Sequence, residues 1–254
     1  MDYWHLRLNS VKKNKRYQFQ DLILHENDNL IIINKPSGIS SLADRDSTAK
    51  SVHELAIGYC PKAILCHRLD KFTTGVMLIA KHEAAYRDIT LKFQKRLVKK
   101  YYHTLIEGPH DIQDQVVDYG IYNNTKGKVR LDNALGKPAL TIFNTLKKFR
   151  HYTLLECQPV TGRMHQIRLH LLGVGMPVIG DTLYTGKDIF LSDFKRNYKL
   201  DAENDERPLN QGFLLHAARI EFAMPGTEEI SIFEAPYQPE FQVVLKVLGK
   251  WDGY

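Results

Sequence analysis

The sequence predicts an α+β fold built on a mixed, mostly antiparallel sheet. Short runs rich in β-branched residues outnumber the segments with helical periodicity, and few helices separate consecutive strands. A doubly wound parallel sheet needs a crossover helix between successive strands, so this order of elements favours antiparallel pairing. The 254 residues are enough for one large domain with a substantial core.

The first predicted elements form a hairpin. Residues 22–24 and 30–33 are apolar runs separated by the turn-forming triplet Asn27-Asp28-Asn29. The turn-forming stretch Lys35-Pro36-Ser37-Gly38 then ends the second strand. The next predicted elements are a polar loop at 41–50, a short helix beginning at 52–55, a buried strand at 76–80 and a helix at 83–98.

The carboxyl-terminal half alternates predicted strands with two helices. The helix over 163–172 ends at Gly173, and a terminal helix covers 239–248. Residues 187–207 are charge-dense and poor in apolar side chains, which predicts a polar surface insertion. Another strand is predicted at 101–107, and those of the carboxyl-terminal half lie at 139–146, 151–157, 213–223 and 229–234.

The charge is unevenly distributed along the chain. Lys and Arg number 35 against 29 Asp and Glu, a formal net charge of +6. Residues 1–20 hold five basic residues and one acid, so they carry +4 and the rest of the chain only +2. We therefore predict a basic N-terminal arm at 1–20 and a globular domain at 21–254. Such an arm is typical of nucleic-acid binding, and a solvated terminus has the same composition.

Several classes of protein are excluded by what the sequence lacks. No apolar run approaches the roughly 20 residues of a membrane span, and the first residues do not form a signal peptide. Three cysteines without a CxxC pair predict a cytoplasmic protein with no disulfide framework and no zinc site. The nucleotide-binding patterns GxxxxGK[ST] and GxGxxG are absent, so we expect no cofactor and no metal.

One candidate for chemistry is the segment from His67 to Gly75, which leads into the buried strand at 76–80. Asp70 lies two residues after Arg68, and burying a carboxylate here is costly unless it is paired with a cation. Such a pair would also keep Asp70 ionised, as a nucleophile must be. A structural salt bridge, or a turn in which Asp70 caps Thr73, fits the same residues.

Two further segments carry polar side chains in a suggestive pattern. On the predicted helix, His165 and Arg168 lie one turn apart, and Gly162 before it allows close approach of a phosphate. Residues 92–100 hold five basic side chains, no acid, and precede Tyr102, a pattern suited to phosphate contact with base stacking. Solvated helix faces explain both segments equally well.

Six short motifs follow one another in the chain: Asn34-Lys35-Pro36-Ser37-Gly38, His67-Arg68-Leu69-Asp70-x-x-Thr73-Thr74-Gly75, Lys100-x-Tyr102-x-Thr104-x-Ile106-x-Gly108, Gly162-Arg163-x-His165-Gln166-Ile167-Arg168-x-His170, Pro177-Val178-Ile179-Gly180-Asp181-Thr182-Leu183-Tyr184 and Leu215-His216-Ala217. In content and order they resemble the motifs of the RluA-type pseudouridine synthase family, over roughly residues 21–245. Thr74 and Thr104 stand where the family has serine and alanine.

The resemblance implies both a fold and a reaction. The fold is a mixed sheet in two subdomains that flank a central RNA-binding cleft. The reaction converts a uridine within RNA to pseudouridine: the N-glycosidic bond breaks, the uracil rotates and a carbon–carbon bond forms, without cofactor or metal. Since no separate RNA-binding module precedes residue 21, RNA would dock on the catalytic domain and the arm.

The resemblance also assigns roles to individual residues. Asp70 acts as the nucleophile, Arg168 pairs with it, and Tyr102 stacks on the flipped uracil. Arg68 fills the space that the flipped base leaves, and Ile167 packs against the base. Whether Asp70 attacks the sugar, attacks the base or assists a glycal route stays open. The other candidate substrate-binding residues are Lys35, Thr73, Arg163 and His165.

The expected partner is structured RNA, either ribosomal or transfer RNA, bound by a monomer without a membrane or an obligatory protein partner. A non-catalytic RNA-binding or ribosome-assembly protein on the same fold is the main alternative, although Asp70, Tyr102 and Arg168 are all present. A methyltransferase would need a nucleotide-cofactor loop. A hydrolase would need a second positioned carboxylate or a metal.

Overall fold

A computed structural model describes residues 17–44, 49–124, 128–195 and 206–253. Most of the predicted arm, residues 1–16, and part of the predicted insertion, residues 196–205, lie outside the described residues. The helices are α1 (Val52–Tyr59), α2 (Glu83–Gln94), α3 (Gln166–Gly173) and α4 (Pro239–Trp251), and short 3₁₀ helices cover Phe19–Leu22, Thr182–Tyr184 and Leu191–Asp193.

The strands are β1 (Ile23–Glu26), β2 (Leu30–Lys35), β3 (Ile64–Leu65), β4 (Thr74–Ala80), β5 (Lys99–Glu107), β6 (Gln115–Asp118), β7 (Ile121–Asn123), β8 (Val129–Leu131), β9 (Leu140–Lys148), β10 (Tyr152–Pro159), β11 (Leu215–Ala223) and β12 (Ile230–Glu234). Ten of them form one sheet, whose main path runs β1-β2-β4-β11-β5-β10-β9-β6, with β3 beside β4 and β12 beside β11. Strands β7 and β8 form a separate hairpin.

The sheet is mixed and mostly antiparallel, as the sequence predicts. Among the strand pairs of the described residues, only β4 and β11 pair in parallel. Gly75 lies at this joint with a φ of +105°, and a Cβ there would stand 2.2 Å from the carbonyl oxygen of Ala217. Only glycine therefore allows the two strands to approach this closely.

Each helix covers one face of one half of the sheet. On the half made of β1, β2 and β4, α1 packs on one face and α2 on the other. On the half made of β5, β9 and β10, α3 and α4 do the same. Tyr102 on β5 contacts both the α1 cluster and the α3 cluster, so it lies at the seam between the halves. These halves correspond to the two predicted subdomains.

Local sequence explains where the helices begin. Ser51 caps α1 in a capping box, because its hydroxyl accepts from the Glu54 amide and the Glu54 carboxylate accepts from the Ser51 amide. Pro239 begins α4 at a position where its missing N–H costs no hydrogen bond. None of the helices in the described part of the chain is long and apolar enough to span a membrane.

Several predicted boundaries are wrong. The helix predicted at 83–98 ends at Gln94, because Arg96 adopts a left-handed φ of 58°. The helix predicted at 163–172 begins only at Gln166, whose side chain accepts from the Thr161 hydroxyl and the Arg163 amide and so fixes a loop instead. The strands that the sequence did not predict are β6, β7 and β8.

The start of the globular domain and the predicted insertion also differ from expectation. Phe19 is only 5% exposed and packs in the α1 cluster, so the body extends upstream of residue 21. Ile189, inside the predicted surface insertion, is fully buried, and Lys187 pairs with Glu107 on β5. The start of the insertion therefore packs against the body.

Candidate active site

Three elements distant in sequence meet at the seam between the two halves. The loop between β3 and β4 carries Asp70, β5 carries Tyr102 and α3 carries Arg168. Arg168 Nη1 donates to Asp70 Oδ2 at 2.9 Å, with the Arg168 side chain 5% exposed and that of Asp70 29% exposed. The pair is therefore buried on the arginine side and open on the carboxylate side, as an aspartate that must reach a substrate requires.

Arg168 has a second acidic partner that sequence reasoning missed. Its Nε and Nη2 donate to the two carboxylate oxygens of Asp181 at 2.6 and 2.9 Å. The rings of Tyr184 and Phe213 pack on its guanidinium, with centroids 4.9 and 4.2 Å from its carbon. The sequence held a signal for this second partner. A buried arginine needs anions around it, and Asp181 and Tyr184 belong to one of the six motifs.

Lys35, predicted as a substrate-binding residue, is enclosed in the protein and supports the Asp70 loop. Its side chain is fully buried, and Nζ donates to the carbonyl oxygens of Pro36, Lys71 and Thr73 at 3.1, 3.0 and 2.8 Å. Burial lowers the pKa of Lys35 to about 7, while the charge of Asp70 opposes that shift. All three donor directions are used inside the protein, so none is left for a phosphate.

Thr73 is likewise buried, at 3% exposure, and fixes the turn after Asp70. Its amide donates to the Asp70 carbonyl at 3.1 Å. On the other side of Asp70, the Leu69 carbonyl accepts from the Ser41 hydroxyl at 2.7 Å, and the Leu69 amide donates back to it at 3.0 Å. The backbone on both sides of Asp70 is thus held in place, and Thr73 does not face the cleft.

Tyr102 lies at the floor of the site. Burial raises its pKa well above the usual range, and the charge of Asp70 raises it further, so the phenol is neutral. Its hydroxyl bonds no other group within the described residues, while its ring contacts the core clusters of both halves. A neutral phenol with a free hydroxyl beside a carboxylate can stack on a base and bond to it.

His165 also lies near Asp70. It occupies the N-cap position of α3 with a left-handed φ of 54°. Its Nδ1 lies 2.8 Å from the Tyr184 hydroxyl and its Nε2 3.8 Å from Asp70 Oδ2. Burial lowers its pKa, with Asp70 opposing the shift, so the imidazole is neutral near pH 7.

The remaining predicted residues differ in accessibility. Arg68 is exposed and lies two residues from Asp70. Arg163 is exposed, and its Nε donates to the Pro138 carbonyl at 3.1 Å. Ile167 is 7% exposed and belongs to the α3 cluster that Tyr102 contacts. Within the described ranges, no group of three or more His, Cys, Asp or Glu could hold a metal ion.

This fold, with an ion-paired aspartate at the seam of a split sheet, matches a class of RNA-modifying isomerases. A family model described as RNA pseudouridylate synthase matches residues 29–172, which include Asp70, Tyr102 and Arg168. The chain belongs to this family and is an RNA pseudouridine synthase. The RluA-type resemblance is confirmed.

Named relatives point the same way. The chain is 34% identical over 242 residues to ribosomal large subunit pseudouridine synthase C of Vibrio vulnificus, covering 94% of this chain and 73% of that protein. It is 33% identical over 227 residues to the dual-specificity RNA pseudouridine synthase RluA of Pasteurella multocida, covering 84% and 92%. The structure of human RNA pseudouridylate synthase domain containing 4 superposes with a TM-score of 0.66 at 26% identity, covering 97% and 98%.

Proposed function

We propose that this enzyme isomerises specific uridines of ribosomal RNA, with Asp70 as its nucleophile. The observation that carries the assignment of Asp70 is its ion pair with the buried Arg168 at the open side of the seam. Ribosomal RNA is favoured over transfer RNA because the relatives named C and D act on the large ribosomal subunit by name. Transfer RNA is the second candidate, since one relative is named as having dual specificity.

Arg68, Arg168 and Tyr102 each serve a different step of the proposed reaction. A uridine in structured RNA must leave its stack, at a cost of a few kcal/mol. The exposed Arg68 enters the vacated space, where its planar guanidinium stacks and donates at once. Arg168 keeps Asp70 ionised for attack. Tyr102 stacks on the flipped uracil and contributes its hydroxyl to proton transfer at the sugar or at the new bond.

The reaction balances without any other reactant. The C1′–N1 bond breaks and the C1′–C5 bond forms, C5 loses its proton and N1 gains one. Uridine and pseudouridine are therefore isomers, and the proton lost from C5 provides a direct signal for the reaction.

We further propose that the enzyme works as a monomer in the cytoplasm and needs no protein partner. All three cysteines are free, and they accord with a reducing compartment. Sedimentation of the purified protein, alone and with RNA, tests the proposed monomer.

Tritium release from RNA labelled at C5 of uridine tests the role of Asp70. We expect Asp70→Asn to abolish release while RNA binding persists, because the amide is isosteric but not nucleophilic. Asp111→Asn is the matched control, since Asp111 is 85% exposed and its ion pair with Lys148 lies on the surface. Undiminished release from Asp70→Asn would refute the assignment. A wild-type protein that binds RNA without releasing tritium would support the non-catalytic alternative.

A further inference from the structure

We propose that Asp181 and Tyr184 are positioning residues that confine Arg168 and His165 to a single oxygen of Asp70, so that Asp70 attacks through Oδ1. This inference rests on the proposed role of Asp70 as nucleophile. It assigns a function to a segment, Asp181 to Tyr184, whose side chains bond Arg168 and His165 rather than Asp70.

The local backbone places these two side chains together. Residues Thr182–Tyr184 form a 3₁₀ helix with Asp181 at its N-cap, and residues three apart lie on the same side of such a helix. The Asp181 carbonyl accepts from the amides of Tyr184 and Gly186 at 2.9 and 2.8 Å. A Cβ at Gly186 would stand 2.0 Å from the Val178 carbonyl oxygen, so the tight turn requires glycine there.

Asp181 controls how Arg168 can bind Asp70. The Asp181 side chain is 1% exposed and engages Nε and Nη2 of Arg168, the edge of the guanidinium that suits a carboxylate best. Asp181 leaves the two N–H groups of Nη1 and one N–H of Nη2 unused, and of these Nη1 donates to a single oxygen of Asp70, Oδ2. Without Asp181, the same guanidinium edge could turn to Asp70 and engage both of its oxygens.

Tyr184 controls the second group that faces Asp70. Its ring packs on the Arg168 guanidinium, and its hydroxyl bonds His165 Nδ1 at 2.8 Å. When Nδ1 of a neutral imidazole accepts from the phenol, the ring proton lies on Nε2. That nitrogen is 3.8 Å from Asp70 Oδ2, the oxygen that Arg168 also contacts.

The two arrangements leave Asp70 Oδ1 without a partner among the described residues. Its lone pair is available to bond a carbon of the target uridine. Attack at C1′ breaks the C1′–N1 bond and leaves that electron pair on the uracil, whereas attack at C6 moves the C5=C6 pair onto the ring carbonyl. For both of these nucleophilic routes, the proposed reacting oxygen is Oδ1, the one that Arg168 does not hold.

Asp181→Asn tests the proposal through rate and binding measured separately. The Asn amide presents N–H to one of the Arg168 donors, so one bond is lost and the guanidinium can turn to Asp70. We expect single-turnover tritium release at saturating RNA to fall about 100-fold, the effect of misplacing a catalytic group. RNA affinity should stay unchanged, because Asp181 is buried behind Arg168.

Asp252→Asn is the matched control for loss of a buried carboxylate. Asp252 is 1% exposed, binds the amide and Nδ1 of His151 at 2.9 and 2.6 Å, and follows α4 on the face of the sheet away from Tyr102. Its variant should lose stability but keep the wild-type rate at saturating RNA. Equal losses of rate in the two variants would mean that Asp181 acts only on the fold, and would overturn the proposal.

Tyr184→Phe provides an independent test that keeps the ring on Arg168 and removes only the bond to His165. We expect a smaller loss of single-turnover rate than for Asp181→Asn, again with unchanged affinity. Wild-type rates in both folded variants would refute the positioning role, and if Asp181→Asn does not fold, a wild-type rate in Tyr184→Phe suffices. An inactive wild-type enzyme, or an active Asp70→Asn variant, would instead refute the proposed function.

Discussion

Asp70 is held by backbone and side-chain contacts that leave its carboxylate open to the cleft. The Lys35 ammonium binds three carbonyl oxygens around its loop, and Ser41 binds Leu69 immediately before it. A nucleophile gains from such fixing because its approach to the reacting carbon is set before substrate binds. We therefore expect the buried Lys35 to support catalysis by holding this loop in place.

Arg168→Met tests the importance of the ion pair. We expect near-complete loss of tritium release with RNA binding largely kept, because methionine retains the volume but leaves Asp70 and the buried Asp181 without a cation. Filter binding and single-turnover release measure the two effects. The control is Arg87→Met on α2, where the arginine is 72% exposed and pairs with Glu83 on the surface. Wild-type activity in Arg168→Met would show that the pairing is dispensable.

The need of Asp70 for a cationic partner was predictable from local sequence, whereas the burial of Lys35 was not. Asp70 lies in a distinctive motif, and the need of a buried carboxylate for a cation predicts an arginine partner. Lys35 ends a strand that is buried on both faces, and its burial depends on β4 and the Asp70 loop folding over it. Burial of this kind comes from tertiary packing, which the residues next to Lys35 do not encode.

At the level of elements, the parallel joint between β4 and β11 connects the two halves of the sheet. His216 on β11 spans it: Nδ1 bonds the Thr74 hydroxyl at 2.7 Å, and Nε2 bonds the Ala235 carbonyl at 3.0 Å. Since a carbonyl only accepts, Nε2 carries the proton and the Thr74 hydroxyl donates to Nδ1. This neutral, fully buried histidine links three segments of the fold.

The pH dependence of stability tests this role of His216. Burial lowers its pKa to about 4, below the usual value of about 6.5. The unfolded chain therefore binds a proton first as the pH falls. The free energy of unfolding should be insensitive to His216 above about pH 7 and should fall by about 1.4 kcal/mol per pH unit between about 6.5 and 4. Urea denaturation from pH 7.5 to 5 measures it.

His216→Gln is the comparison for that experiment, because glutamine cannot titrate. Its stability should fall less steeply with decreasing pH than that of the wild type. Other buried histidines, such as His103, keep their own contribution in both proteins, and the pKa of His103 is also lowered to about 4. Equal slopes in the two proteins would show that His216 is not kept neutral by the fold.

Elements were predicted well where periodicity was strong and poorly where composition was polar. The hairpin of β1 and β2 and the buried strand β4 match the apolar runs in the sequence. The hairpin of β7 and β8 was missed because its flanks are rich in Asn, Lys and Gly. It is stabilised by packing Ile121 against Ala139 and Leu169 of α3, a contact between distant segments.

At the scale of the whole molecule, the site depends on strand order. Asp70 and Arg168 are 98 residues apart, and they meet because β4, β11 and β5 are neighbours at the centre of the sheet. The sequence predicts the class of sheet but does not dictate this order, so the resemblance to a family was needed to bring the motifs together. Net charge was an equally indirect guide to where RNA binds, since +4 of the formal +6 lies in the predicted arm at 1–20.

Removal of residues 1–16 tests whether the basic arm contributes to RNA binding. This deletion removes all five basic residues of the predicted arm at 1–20 but keeps Phe19, which packs in the α1 cluster. We expect weaker RNA binding. The slope of log K against log salt concentration should become less negative, by about 0.9 or less for each phosphate contact that is lost. Thermal unfolding should be unchanged.

A full-length variant with the same five basic residues replaced by glutamine separates charge from length. It should match the deletion in affinity and in salt dependence. Wild-type affinity and salt slope in both proteins would show that RNA docks on the catalytic domain alone.

Mapping of pseudouridine in total RNA, with and without this protein, tests the central claim most directly. We expect one or more positions in ribosomal RNA to lose pseudouridine when the protein is absent, to regain it when the wild type is supplied, and to remain uridine when Asp70→Asn is supplied. A map that does not change when the protein is removed, or that Asp70→Asn restores, would contradict the account.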